Sequence, residues 1–185
     1  MADIQRNKTE VLLQRTQQSK RFFKAKSDYV TKPISEAGLE GLSLHIMLQL
    51  YTSLLILSPF GGRMSEISNS ETLFPPRKGN LCEIQYYFSW DDDKETGKYI
   101  SWTRKVCGYV AAYASKSPRA AYMNYRDLDL GMNKDANTSY AQASLWGLSY
   151  FKNNFRRLAQ VKTLVDPGNF FRNEQSIPVL PFGEK

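Results

Sequence analysis

The sequence predicts an α+β domain: a largely antiparallel sheet with helices packed on one face, followed by an extended C-terminal tail. Two observations carry this. Short runs of β-branched and aromatic residues are interleaved with longer stretches of helical periodicity, and some of the short runs are joined by tight Gly- and Pro-containing links. No stretch repeats at a fixed period, which excludes a solenoid. The chain has 185 residues, 42% of them hydrophobic, which is enough for one domain with a sizeable core or one domain plus a short appendage.

In chain order, "RFFKAKSDYV" reads as a strand with Phe22, Lys24, Lys26 and Asp28 on one face and Phe23, Ala25 and Tyr29 on the other. Pro33 and Ser35 announce a helix with Ser35 as its cap, continued by Leu39, Leu42, Ile46 and Leu50 at helical spacing. "SLLILS" and "RMSEI" are short strand candidates around a turn at Pro59, Gly61 and Gly62. "CEIQYYFSW" is the clearest strand, placing Ile84, Tyr86 and Phe88 on one face and Glu83, Gln85, Tyr87 and Ser89 on the other.

Asp91, Asp92 and Asp93 precede a helical stripe of Tyr99, Trp102, Val106, Tyr109 and Tyr113, where acids offset the helix dipole. "AAYMNY" reads as a further strand. Ser139 with Gln142 forms a capping-box pattern, opening a helix that runs to Val165 with a break expected near Gly147 or Asn153. Asp166-Pro167-Gly168 stops it, and the tail beyond is expected to lie extended and poorly packed.

Several function classes fall away at this level. The formal charge of +7 is scattered and reads as a solvated surface. "KRFFKAK" could bind nucleic acid by stacking and charge, but as an alternating strand it is a half-buried edge, so no nucleic-acid partner is expected. "IMLQLYTSLLIL" is short and carries Gln49; it reads as a helix end running into a strand, not a membrane span. No secretory signal opens the chain. His45 is the single histidine, the acidic run lacks EF-hand spacing, and no metal site is expected. Cys82 and Cys107 allow one disulfide or none. No nucleophile elbow, Walker loop, HExxH or GxGxxG is present.

The motifs "FFKAKSDYV", "FGGRMSEIS", "RKGNL", "IQYYFSW", "PRAAYMNYRDLDLG" and "LWGLSYFKNNFRRLAQVKTLVDPGNFFRNEQSIP", in this order and spacing, resemble the plant berberine bridge enzyme-like family. The resemblance covers nearly the whole chain but only the C-terminal part of the family. It implies that residues 1–116 are the later part of a substrate-binding domain. Residues 117–185 would be the berberine-like segment that packs on an FAD-binding domain absent from this chain. Family members are FAD-linked oxidoreductases of alcohols, sugars and plant secondary metabolites, typically secreted, apoplastic or vacuolar. The expected partners are therefore a small-molecule substrate and the missing FAD domain, and this chain alone is not expected to retain FAD.

Carried over residue by residue, Tyr125 matches a tyrosine that serves as catalytic base in some relatives. Gln85 matches a substrate-side position where some relatives carry a catalytic glutamate; an amide can only orient substrate by hydrogen bonds. Tyr122 matches a position lining both substrate and cofactor, and Asn124 a cofactor-lining one. Ser43 replaces a common tryptophan, Pro76 a common histidine and Cys82 a common tyrosine. A phenol with an ordinary pKa near ~10 is a poor base at neutral pH unless a positive charge or hydrogen bonds depress it. A regular strand would also send Tyr125 to the face opposite Tyr122 and Asn124, so all three reach one pocket only if the strand ends or bulges at Asn124. The alternative reading is a non-catalytic remnant that persists as a binding module.

Overall fold

The protein is described by a computed structural model over residues 20–47 and 53–181; Gln49, Leu50 and the first residues of the chain lie outside the described residues. Strands β1 (Phe22–Val30), β2 (Ser53–Pro59) and β3 (Cys82–Trp90) form one antiparallel sheet in the order β1-β3-β2. The helices are α1 (Glu36–Met47), the single turn α2 (Arg63–Glu66), α3 (Thr96–Val110), α4 (Tyr140–Phe151) and α5 (Asn154–Val165).

β3 is central because its alternation is satisfied on both faces. Ile84, Tyr86 and Phe88 turn toward α3 and α1 and form a core with Val30, Leu42, Val106, Cys107 and Val110. The opposite face carries Glu83, Gln85 and Tyr87, in register with Tyr29, Ser27 and Ala25 of β1. Ser35 caps α1 by accepting from the Gly38 N–H at 3.2 Å. The third aspartate of the acidic run opens a 3₁₀ turn, Asp93–Glu95, that Asp92 caps ahead of α3. Both cysteines are free thiols, so no disulfide closes this fold.

A second core lies between α4, α5 and the segment before them. Ala121, Ala143, Trp146, Tyr150, Phe151 and Phe155 build it. The expected helix to Val165 does break, at Lys152 and Asn153, where Lys152 takes φ 48°. The break folds α5 back onto α4, and Phe155 lands over Gly147: a Cβ there would meet its ring at 2.3 Å. The Ser139–Gln142 capping box is fully formed.

Two predicted strands are not strands. "RMSEI" is the helical turn α2, because the backbone leaves the sheet at Phe60 and Arg63 reaches Glu66 at 2.5 Å one turn on. "AAYMNY" is irregular and ends in a turn, with the Tyr125 N–H donating to the Tyr122 carbonyl at 3.0 Å. It lies along the edge of β1 not paired to β3, and side chains take the place of a backbone ladder. Val30 bridges Ala114, and the Ser115 N–H donates to the Tyr29 carbonyl at 2.7 Å. Asp28 then accepts from the Nε and Nη2 of Arg119, both at 2.5 Å. The Ser27 hydroxyl accepts the Tyr122 N–H at 2.7 Å, and Lys24 reaches Asp127 at 2.8 Å. Lys26 binds Asp127 and Asp129, and Arg104 of α3 closes on Asp129 at 2.7 Å.

The tail from Asp166 carries no helix or strand, but it is not poorly packed throughout. Gln175 and Leu180 are buried. The Gln175 amide donates to the Asp127 and Gly131 carbonyls at 2.9 and 2.8 Å and its oxygen accepts from Tyr150. Those backbone carbonyls need partners, and the tail supplies them within this chain. Phe170 and Phe171, by contrast, are both 76% exposed.

Asp127→Asn should leave Lys24 and Lys26 with Asp129 as their remaining carboxylate, and cost roughly 1.5–3 kcal/mol in urea unfolding at pH 7. Arg104 first, then Lys26, holds the Asp129 carboxyl far below the usual carboxylate range. Its contribution is therefore present above the unfolded carboxylate pKa of ~3.9 and lost as pH falls further. An acid melt of the parent should start in that window, and Asp129→Asn should flatten it.

Candidate functional site

The side-chain ladder along β1 determines where the site forms. Once Tyr122 is tied to Ser27, the turn from Tyr122 to Tyr125 stands over the outer face of the sheet. The turn resolves the problem of alternation. The Tyr122 and Tyr125 rings meet edge to face at 5.0 Å, and the Asn124 amide donates to the Tyr122 hydroxyl at 2.7 Å. Aromatic contacts continue from Tyr122 to Phe74, Phe60 and Tyr29, with successive centroids 5.7, 6.5 and 5.6 Å apart.

Beside this turn runs a mainly apolar groove of about 450 Å³, lined by Phe74, Tyr122, Asn124, Phe151, Leu158 and Ile177 among others. Tyr122 and Asn124, expected near the cofactor, both line it. Tyr125 and Gln85 do not. Tyr125 is half-buried with its ring against Tyr122, and Gln85 lies across from Ser27 in the sheet. The structure thus brings Tyr122, Asn124 and Tyr125 together and leaves Gln85 beneath them, joined through the Ser27–Tyr122 hydrogen bond.

The electrostatics of Tyr125 run against an unaided base. Burial, then the charge of Glu83, then Tyr122 push its phenol above the ordinary 10.0. Arg126, its sequence neighbour, acts instead toward Tyr150, whose ionised form it favours. Glu83 is the residue that the sequence analysis passed over. It shares the outer face with Gln85, is 7% exposed, and one carboxylate oxygen has no hydrogen-bond partner among the described residues. The Tyr29 hydroxyl, directly across the strands, is also without one. Burial raises the Glu83 carboxyl to about 7. Alternation already put Glu83 beside Gln85; its burial could not be read without the turn that covers it.

The groove fits one end of a flavin and not the other. Flat apolar walls, two tyrosines and an amide suit a planar ring system with polar edges. None of its lining residues is basic or a glycine, so among the described residues the groove itself offers nothing to hold a pyrophosphate. Among the described residues, no group of three or more His, Cys, Asp or Glu is placed to hold a metal ion. No helix there is long and apolar enough to cross a membrane.

Comparison with known proteins agrees with this fold. Residues 121–178, which include the turn and the second core, match the family model "Berberine and berberine like". Berberine bridge enzyme-like 23 of Arabidopsis thaliana is 51% identical over 174 residues, covering 92% of this chain and 32% of that protein. The tetrahydroberberine oxidase of Berberis wilsoniae is 49% identical, covering 86% of this chain and 30% of its own length. The solved structure of the BBE-like number 28 protein from Arabidopsis thaliana superposes with a TM-score of 0.83 at 43% identity, over 94% of this chain and 37% of that one. Residues 121–178 carry the berberine-like domain, and over most of its length the chain is similar to berberine bridge enzyme-like proteins, spanning about a third of the length of the curated relatives it matches.

The folded Glu83 carboxyl titrates near 7, above its ordinary 4.5. Below 4.5 the folded and unfolded forms are both protonated and Glu83 is neutral in effect; above about 7 the folded state carries an unpaired buried charge. Glu83→Gln should therefore gain stability over the parent as pH rises from 5 to 8, by up to roughly 3 kcal/mol. Paired thermal melts at the two pH values check this.

Proposed function

We propose that this chain is the substrate-side and C-terminal portion of an FAD-dependent oxidoreductase that oxidises an alcohol, sugar or plant secondary metabolite. The observation that carries the reading is the turn at Tyr122–Tyr125, which places an amide and two phenols between an apolar groove and the outer face of the sheet. Similarity to berberine bridge enzyme-like proteins adds the redox chemistry: bound FAD would accept a hydride from the substrate.

Every other contribution comes from the chain. Tyr122 and Asn124 would border the ring end of the cofactor, with Phe74 and Phe151 excluding water behind them. Gln85 would orient substrate by hydrogen bonding. Tyr125 would take the substrate's hydroxyl proton, which requires that its raised pKa be relieved at the moment of reaction. Two features support a boundary near residue 117 and a partner portion for the rest. The two cores are built mostly from either side of that point, and Leu164, Val165, Phe170 and Phe171 leave an apolar surface exposed. The chain by itself should not retain FAD, because contacts to the ring end alone must offset the whole cost of ordering the dinucleotide.

The competing reading, a non-catalytic binding module, is separated from this one by a direct experiment. Fused behind the FAD-binding portion of a close relative, the chain should restore flavin reduction in anaerobic single turnovers. Tyr125→Phe should slow that step about a hundredfold to ten-thousandfold with flavin content unchanged. Gln85→Ala should cost on the order of 1 kcal/mol, divided between binding and rate. Equal rates for parent and Tyr125→Phe would remove Tyr125 from the chemistry, and a fusion that binds flavin but never reduces it would favour the binding module.

A further inference from the structure

Three carboxylates among the described residues are buried, and two of them are fully provided for. Asp28 has Arg119 and the Tyr86 hydroxyl, and Asp127 has Lys24 and Lys26. Glu83 has no ion-pair partner among the described residues, and one of its oxygens has no hydrogen bond at all. An uncompensated buried carboxylate is costly, so a fold that pairs its other two leaves this one as an exception requiring a reason. Its position gives one. Glu83 lies two residues before Gln85 on the same face of β3, across from Tyr29; Ser27, the register partner of Gln85 on that face, holds the Tyr122 N–H of the turn that carries Tyr125. The titratable groups on which its charge acts are Tyr29 from β1 and Tyr125 from the turn; its register partner on β2 is Ser58, which does not titrate.

We propose that Glu83 is a positioning residue for Tyr125: the two share a single negative charge, and Glu83 stores the proton whose removal makes Tyr125 a base. This rests on the oxidoreductase reading above and supplies what that reading lacks. With Glu83 ionised, its field keeps Tyr125 a phenol. Transfer of the phenol's proton to Glu83 gives a neutral carboxylic acid and a phenolate, with no change in total charge. The phenolate then takes the proton from a substrate hydroxyl, which leaves both Tyr125 and Glu83 protonated and the substrate as an alkoxide. The Glu83 carboxyl, held near 7 by burial, is suited to accept and release that proton at neutral pH. A glutamine at position 85 cannot do this, so the carboxylate that some relatives are expected to place there is supplied here from two residues upstream.

The test has two arms. In the unmodified 185-residue chain, carboxyl-carbon NMR should show Glu83 titrating near 7, and ring-carbon NMR should show the Tyr125 midpoint falling toward 10.0 in Glu83→Gln. In the fusion with a relative's FAD-binding portion, single-turnover flavin reduction should lose rate below an acid midpoint near 7. That limb should vanish in Glu83→Gln and persist, displaced, in Glu83→Asp. A Glu83 that titrates as an ordinary glutamate, or a Tyr125 midpoint unmoved by Glu83→Gln, overturns the proposal, as does an acid limb unchanged in the Glu83→Gln fusion. A parent fusion that never reduces flavin defeats the oxidoreductase reading instead, and the NMR arm still decides whether the two residues share a charge. Should Glu83→Gln fail to fold, the parent's own Glu83 titration and the Glu83→Asp profile decide.

Discussion

The edge of β1 is the constraint on which the rest of this structure depends. A strand edge offers unpaired backbone groups, and the usual remedy is another strand. Here the segment from Ala114 to Asp129 covers it with one bridge, one backbone hydrogen bond and a run of side-chain contacts: Asp28 to Arg119, Ser27 to Tyr122, Lys26 and Lys24 to Asp127. Because side chains of both parities take part, the covering segment is free of strand alternation. That freedom lets Tyr122, Asn124 and Tyr125 cluster, which a regular strand would forbid. The same contacts join the two cores: Asp28 and Lys26 belong to the sheet, while Asp127 is held from the other side by Tyr150 of α4 and Gln175 of the tail.

What could be read from the sequence follows from how local each signal is. β1 and β3 were legible because period-two alternation is written within nine residues, and the faces assigned to Lys26, Asp28, Ile84 and Tyr86 are the ones observed. The Ser139–Gln142 cap and the break near Asn153 were legible for the same reason. "RMSEI" and "AAYMNY" were misread because their composition fits a strand while their surroundings do not supply one: the first leaves the sheet at Phe60, and the second donates its backbone N–H groups to the Ser115 and Ser27 hydroxyls and the Ser149 carbonyl. The tail was misread because Gln175 gives no hint in sequence that three distant groups, on Asp127, Gly131 and Tyr150, converge on it. The candidate site was visible only as far as the family motif marks it. Glu83 stood in plain sight on the right face, but a carboxylate is distinguished by the lack of a partner, and partners are a property of the folded chain.

The surface of the molecule divides in a way that separates folding from function. The interior needs of the chain are largely met within it: both cores are closed, the buried ions at Asp28 and Asp127 are paired, and the carbonyls at Asp127 and Gly131 are bonded. What is left open lies on α4, α5 and the tail, where Leu145, Leu164, Val165, Phe170 and Phe171 are well exposed. So many large apolar side chains in water suit an interface more than a free surface. The chain spans about a third of the relatives it matches, and under the proposed oxidoreductase reading it holds its own fold and presents one face of a site that a second portion completes.

This separation bears on how the chemistry is divided between the two portions. The residues bordering the groove, Tyr122 and Asn124, depend for their effect on whatever fills it, and without an occupant they are only a hydrogen-bonded pair on a turn. Glu83 and Tyr125 differ, because the charge on Glu83 raises the Tyr125 phenol within this chain itself. If acid–base tuning resides in β3 and the turn while the redox group is brought by the other portion, the two functions can vary independently. Substitution on the outer face of β3 would then change which protonation state reacts without altering how the groove receives a planar ring. Glu83 and Gln85 illustrate such a division: alternate residues of one strand, which share a face, lie roughly 7 Å apart, close enough for a carboxylate at either position to act on the same phenol.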